Sequence, residues 1–256
     1  MNFENKKAII TGTAGSIGRE IAQELARQGA MVLATDLHEP QPPLRSPEGN
    51  KRIYFHKANV EHRPEIQAVV AKALEKMGGV DILVNVAGVV DQQPYDQVTT
   101  EEWDLIFDVN VRGTFYFIQE VAPLMGQQKR GKIVNFSSKS GKTGSAFMVP
   151  YSAAKAAIIG LTQALACELA PLGINVNAVC PGITENTGVW NKVSANYQEN
   201  LKLSREEVVR KFTAKVPLGR LTRVADIVGI VLFLCSQEAD YLTGQAINIT
   251  GGREMH

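Results

Sequence analysis

Seven short apolar runs alternate with helical patterns along this chain, and that alternation most limits what it can fold into. The strand candidates are Lys7–Thr11, Ala30–Asp36, Arg52–Lys57, Val80–Asn85, Lys132–Phe136, Asn175–Cys180 and Ala246–Thr250. Helical spacing fills the gaps at Ile17–Gln28, Pro64–Lys76, Thr100–Met125, Tyr151–Ala170 and Val224–Ser236. Strands separated by helices pair in parallel through right-handed crossovers, and strands this apolar suit a sheet covered on both faces. The expected fold is α/β, a doubly wound parallel sheet of about seven strands with helices on both faces. The 256 residues suit one undivided domain, 1–256, because such folds often run to about 200–250 residues.

Two segments break the alternation. Leu37–Lys51 carries four prolines and reads as an irregular excursion. The polar stretch Ile183–Lys215 reads as one or two short helices. It follows a strand, at the end of the sheet where ligands bind, so a substrate lid is expected at about residues 183–215. Thr99 or Thr100 with Glu102 supplies a cap for the long helix that follows.

Composition removes several classes of function. A net charge of +1 offers no pull toward nucleic acid or an anionic membrane. No apolar run is expected to reach the roughly 20 residues that span a bilayer. The N-terminus lacks the basic-then-apolar order of a signal peptide. The three cysteines, Cys167, Cys180 and Cys235, sit in apolar surroundings without a CxxC, which suggests buried, reduced thiols and a cytoplasmic location. The four histidines show no metal-ligand spacing, so no metal is expected.

Thr11–Gly18 (TGTAGSIG) joins the first strand to the first helix. Gly12, Gly15, Ser16, Ile17 and Gly18 form either a phosphate-binding turn or a tight strand–helix connection. In the first case glycines admit the pyrophosphate backbone-close, and the helix N-terminus supplies donors and partial positive charge. Asp36 ends the second strand. It is a turn aspartate or the carboxylate that accepts both adenine-ribose hydroxyls. A carboxylate there repels a ribose 2′-phosphate, and neither Thr13 nor Leu37 is an arginine, so the cofactor expected is NAD. Asn85, Ala87 and Gly88 close the fourth strand either as a plain strand-end turn or with small residues that would let a cofactor pass.

Tyr151 and Lys155 are four apart and share a helix face, so the ammonium can approach the phenol. A free tyrosine has a pKa of about 10, and a nearby cation favours the phenolate. Such a phenol takes a proton from an alcohol or gives one to a carbonyl near neutral pH. The plainer reading is a surface tyrosine beside a lysine.

Taken together and in order, these motifs resemble the short-chain dehydrogenase/reductase family over almost the whole chain, which implies a Rossmann-like fold. Thr11–Gly18 is similar to its Thr-Gly-x-x-x-Gly-x-Gly, with Ser16 in place of the middle glycine. Asn85–Gly88 is similar to its Asn-Asn-Ala-Gly, with Val86 departing. Asn59-Val60 stands where the family has the Asp-Val that flanks adenine, and Pro181-Gly182 follows the sixth strand as in the family. The resemblance implies hydride transfer between an alcohol carbon and the nicotinamide. Tyr151 would be the acid–base group, with its pKa lowered by Lys155, which would also grip the nicotinamide ribose. Ser138 would bind the substrate oxygen, and Asn110 would hold a water leading from Lys155 to solvent; outside the family context Ser138 reads as a strand-end turn serine and Asn110 as a helix-kinking side chain bonded to its own backbone. Ile183 and Thr184 would join Pro181 and Gly182 around the nicotinamide, with Thr184, Asn186 and Thr187 all competing for its carboxamide.

For the substrate, the hydroxyl-rich Ser137–Ser145 and the polar Glu185, Asn186, Asn191, Lys192 and Asn196, with Trp190 among them, favour a polyhydroxy compound. Ser138, Ser140, Tyr151, Asn186 and Trp190 are the expected contacts. The loop is similar to that of the family's polyol dehydrogenases, with ketone or 3-oxoacyl reduction the alternative and a non-catalytic NAD(H)-sensing protein the distant one. Lys139 and Lys142 read as solvated loop lysines, contact with a sugar phosphate being the other reading. The resemblance also implies a homotetramer, built on the Thr100–Met125 and Tyr151–Ala170 helices, with the tail Arg253–His256 able to reach a neighbour.

Overall fold

The computed structural model describes residues 1–46 and 52–256; residues 47–51, the end of the expected irregular segment, lie outside it, as do the side chains of 197 and 199–201. Its strands are β1 Lys7–Thr11, β2 Met31–Asp36, β3 Ile53–Lys57, β4 Ile82–Asn85, β5 Gly131–Phe136, β6 Ile174–Pro181 and β7 Ala246–Ile249. They form one seven-stranded sheet in the order β3-β2-β1-β4-β5-β6-β7, every pair parallel. Residues 37–46 carry neither helix nor strand.

The helices are α1 Ser16–Arg27, α2 Arg63–Met77, α3 Thr100–Phe107, α4 Gly113–Gln128, α5 Ser140–Thr143, α6 Val149–Leu169, α7 Gly188–Leu201, α8 Arg205–Thr213 and α9 Val224–Cys235. Alternate strand residues feed two cores. Ile10, Val32, Val84 and Val134 pack with Ile21 and Leu25 of α1 and Val231 of α9. Ile9, Leu33, Leu83 and Ile133 pack with Val69 of α2, Phe117 and Val121 of α4, and Ala166 of α6. Both faces of the sheet are thus covered, as apolar parallel strands require. The strand order reverses between β1 and β4, and at such a point a crevice opens beyond the carboxyl ends of the strands.

The long helix expected over Thr100–Met125 is interrupted. Thr99 and Glu102 form the expected capping box, with Glu102 N donating to Thr99 Oγ1 at 3.2 Å and Thr99 N donating to Glu102 Oε2 at 2.9 Å. Then Asp108–Arg112 widens into a π-turn. Asn110 Nδ2 donates to the Ile106 carbonyl one turn back at 2.9 Å, and Thr114 Oγ1 donates to the Asn110 carbonyl at 3.0 Å. A π-turn inserts one residue into the helical register, and such turns favour functional sites.

Two other expectations change. Cys167 is exposed on α6, while Cys180 and Cys235 are buried and all three are free; beside Cys167 on the same helix, Ala166 and Leu169 are buried. One helix among the described residues, Val149–Leu172, is long and apolar enough to cross a membrane by length and composition. Here it lies against the sheet, burying Ala154, Ile158, Thr162 and Ala166.

Candidate active site

The strand ends build the site from one side. Thr11 Oγ1 accepts from Val86 N and Ala87 N, both at 3.0 Å, and so ties the β4 terminus to the glycine turn. Gly12 has φ +69°, and a Cβ on Gly18 would collide with the Gly12 carbonyl, so glycine is required at both positions. Behind them α1 begins at Ser16. Its N-cap Gly15 has no side chain to occupy the first amides, and Ser16 Oγ is buried without a partner among the described residues. That leaves a helix N-terminus with free donors, which fits a dinucleotide's pyrophosphate. Asp36 accepts from Ala14 N at 2.9 Å and His38 N at 3.1 Å, which pins its carboxylate beside the turn.

The other expected cofactor residues divide by role. Asn59 Oδ1 accepts from Glu61 N at 3.0 Å, and Val60 packs on Gly113. The Asn85 side chain turns into the sheet, donating to Asn135 Oδ1 at 2.9 Å. Gly88 stands beside Asn110 and Lys155: a Cβ there would lie 2.6 Å from Asn110 Oδ1 and 3.3 Å from Lys155 Nζ. Gly182, Ile183, Thr184 and Thr187 line the cavity; Asn186 is exposed and does not. Thr187 caps α7, accepting from Trp190 N at 3.1 Å and donating to the Thr184 carbonyl at 2.9 Å.

Ser138, Tyr151, Lys155 and Asn110 open into one cavity of about 500 Å³. Two bonds dock α6 on the end of β5. Lys155 Nζ donates to the Phe136 carbonyl at 2.8 Å, and Ser137 Oγ donates to the Lys155 carbonyl at 2.7 Å. Asn110 Nδ2 also donates to the Val89 carbonyl at 2.9 Å, while its buried Oδ1 has no partner among the described residues. The amide is therefore both a helix-widening group and an open acceptor near Lys155.

The electrostatics differ from the expected arrangement. Burial pushes the Tyr151 phenol above its ordinary value, with the Ser138 hydroxyl working against the rise. Burial also brings Lys155 down to about 8. The ammonium lies 5.6 Å from the centre of the Tyr151 ring, over its face. Proximity to lysine alone thus does not lower the phenol; in this structure desolvation is the larger effect. Lys155's depressed value has a stability consequence. Between pH 8 and its ordinary 10.5 the unfolded chain holds a proton that the folded chain has lost, so stability rises with pH there. Relative to Lys155→Met, the wild type should gain in melting temperature from about pH 8 to about pH 9.5, below the range where Tyr151 acts oppositely. A constant difference across that range would show that burial does not depress Lys155.

The rest of the wall was partly missed by sequence reasoning. Ser140 and Ser145 line it, their hydroxyls 2.8 Å apart. Of the expected lid side chains, Glu185, Asn191, Lys192 and Asn196 lie outside the cavity; Lys192 pairs with Asp91 at 2.8 Å instead. Trp190 is at the wall but buried, packed edge-on to Phe212 with Val208 and Leu221. Neither loop lysine is simply solvated. Lys139 Nζ donates to Ser145 Oγ at 2.9 Å, and Lys142 Nζ to the Ala246 carbonyl at 2.8 Å on the far side. The tail folds back, with Thr250 Oγ1 accepting from Glu254 N at 3.2 Å, and brings Arg253 to the cavity. Lys211 and Lys215 arrive from α8 and the turn after it.

The turn, sheet and serine–tyrosine–lysine grouping place the chain in a class, and comparison with known proteins agrees. A family model described as enoyl-(acyl carrier protein) reductase matches residues 12–254. The chain belongs to the short-chain dehydrogenase/reductase family of oxidoreductases, which act on CH–OH groups with a nicotinamide cofactor. It is 38% identical over 256 residues to sorbitol dehydrogenase of Cereibacter sphaeroides and 36% identical over 256 residues to galactitol 2-dehydrogenase of Agrobacterium fabrum, covering 100% of each pair of chains. Among solved structures, sorbitol-6-phosphate 2-dehydrogenase from Erwinia amylovora superposes with a TM-score of 0.92 at 34% identity, covering 97% of this chain and 100% of that one. An actinorhodin polyketide ketoreductase with NADPH gives 0.92 at 34%, covering 100% of both.

Proposed function

We propose that the protein is an NAD-dependent polyol dehydrogenase that oxidises a secondary hydroxyl of a sugar alcohol to a ketose. The observation that carries this reading is one cavity in which Tyr151 and Ser138 share a wall with the hydroxyls of Ser140 and Ser145. A polyhydroxy substrate can exchange hydrogen bonds with that wall. The likeness to sorbitol and galactitol dehydrogenases supports the same substrate class.

Bound nicotinamide would supply the hydride acceptor. Gly12, Gly15, Ser16, Ile17 and Gly18 would hold its pyrophosphate at the α1 N-terminus, and Asp36 the adenine ribose. Ser138 Oγ would donate to the reacting oxygen and stabilise charge on it. Tyr151 would take the hydroxyl proton, and Lys155 and Asn110 would pass it outward. The reading extends to a cytoplasmic homotetramer, with Trp103 and Leu105 exposed on α3 as apolar surface for a partner.

A panel of sorbitol, galactitol and xylitol, offered with NAD and with NADP, tests the proposal. Turnover should favour NAD. Asp36→Ser should shrink that preference by about tenfold or more, because the carboxylate's repulsion of a 2′-phosphate is then gone. Absence of turnover on every polyol, alongside reduction of a ketone or 3-oxoacyl substrate with NADPH, would replace the proposal with the reductase reading.

A further inference from the structure

Four cations line the cavity beside Tyr151 and have no part in the proton transfer: Lys139, Lys211, Lys215 and Arg253. They converge from separate parts of the chain, the loop between β5 and α5, α8 with its following turn, and the C-terminal tail. No Asp or Glu lines this cavity among the described residues. Behind its rim, Glu254 Oε1 meets Arg253 Nε at 3.1 Å and offsets one of the four charges. Lys211 and Lys215 form no ion pair among the described residues.

This is an unusual concentration of one sign beside a partly apolar wall. Lys139 records its cost: burial and the charges of Arg253 and Lys215 all pull its pKa down, with Glu254 opposing them. Like charges gathered around a concave surface raise the local concentration of an anion. A phosphate monoester has three terminal oxygens and close to two negative charges near neutral pH, so several cations from different directions can each bond it. A carboxylate offers two oxygens and one charge, which suits this spread of donors less well. The serine hydroxyls of Ser138, Ser140 and Ser145 line the same cavity as these cations.

We propose that the cavity selects a polyol carrying a phosphate monoester, with the phosphate held among Lys139, Lys211, Lys215 and Arg253 and the reacting hydroxyl at Tyr151 and Ser138. This rests on the polyol reading above and narrows it. The chemistry at the carbon is unchanged: the C–H electron pair leaves as hydride to the nicotinamide, the O–H proton goes to Tyr151, and a ketose phosphate results.

Steady-state kinetics with the intact enzyme and NAD, comparing sorbitol 6-phosphate with sorbitol, tests this. The ester should have the higher kcat/KM by about tenfold or more, the worth of one charge-assisted hydrogen bond. Lys211→Ala combined with Lys215→Ala should cut the ester-to-sorbitol ratio of kcat/KM by about tenfold or more. Both lysines are exposed, so folding is not at stake. If sorbitol is turned over and the ester is no better, the phosphate proposal falls and the polyol reading stands. If neither is turned over while galactitol or xylitol is, the phosphate proposal falls alone; if no polyol and no ester is turned over, both fall. If the double variant weakens NADH binding by the factor it costs the ester, the cations serve the cofactor and the proposal is overturned.

Discussion

Tyr151→Phe should lower kcat by about 10²–10⁴-fold while leaving cofactor affinity within a few-fold, because in the proposed mechanism it removes the proton-transfer group and little else. The ring fills the same space, and α6 stays docked through Lys155 Nζ on the Phe136 carbonyl and Ser137 Oγ on the Lys155 carbonyl. None of those bonds uses the phenol oxygen. The raised pKa of Tyr151 adds a further expectation. In the proposed mechanism the phenolate acts in oxidation, so the rate should climb with pH on the alkaline side; the protonated phenol acts in reduction, so that rate should hold at neutral pH. Steady-state rates paired with NADH fluorescence titration separate chemistry from binding. Undiminished turnover in the variant would take the phenol out of the mechanism.

A larger structural effect is expected from one methyl group at Gly141. This residue sits in α5 against the backbone of α6. A Cβ there would stand 2.5 Å from the Lys155 carbonyl carbon, 2.6 Å from its oxygen and 2.8 Å from Ala156 N. These are backbone atoms, so the two helices must part. The displaced carbonyl is the one that accepts from Ser137, and the displaced helix carries Tyr151 and Lys155. Overpacking of this kind costs about 1–3 kcal/mol. A misplacement of about 1 Å between reacting groups costs about 10²-fold in rate. Gly141→Ala should therefore lose stability and kcat together. The sign is diagnostic, since glycine to alanine at an unstrained helical position stabilises by about 0.4–1 kcal/mol. A variant that melts higher and keeps its rate would show that the helices tolerate separation.

The sequence revealed the sheet better than the cavity wall, for physical reasons. Strands are local apolar runs, and all seven expected ones form within a residue or two of their expected bounds. Tyr151 and Lys155 share a helical face, so their meeting was also local. Asn110 was flagged by resemblance, but its π-turn was not, because one inserted residue barely disturbs helical periodicity. The wall was harder. Lys139, the pair Lys211 and Lys215, and Arg253 come from three distant stretches of the chain, and only the fold brings them to one cavity. Nothing local marks Gly141, since its constraint comes from a helix that begins eight residues later. Asn186 and Lys192 go the other way: polarity in sequence suggests a wall, whereas Asn186 is exposed in the turn before α7 and Lys192 pairs with Asp91.

The small cluster of Trp190, Val208 and Leu221 has a wider consequence. It gives α7 and α8 an apolar centre of their own, separate from the two cores that flank the sheet. Substitutions in groups that share no partners act almost independently. Residues of that cluster can drift without disturbing Lys155, which is held on β5, whereas Val193 of α7, outside the cluster, packs against Tyr151. A chain built this way can inherit its chemistry and renegotiate its clientele, which is one route by which a single scaffold comes to serve many alcohols.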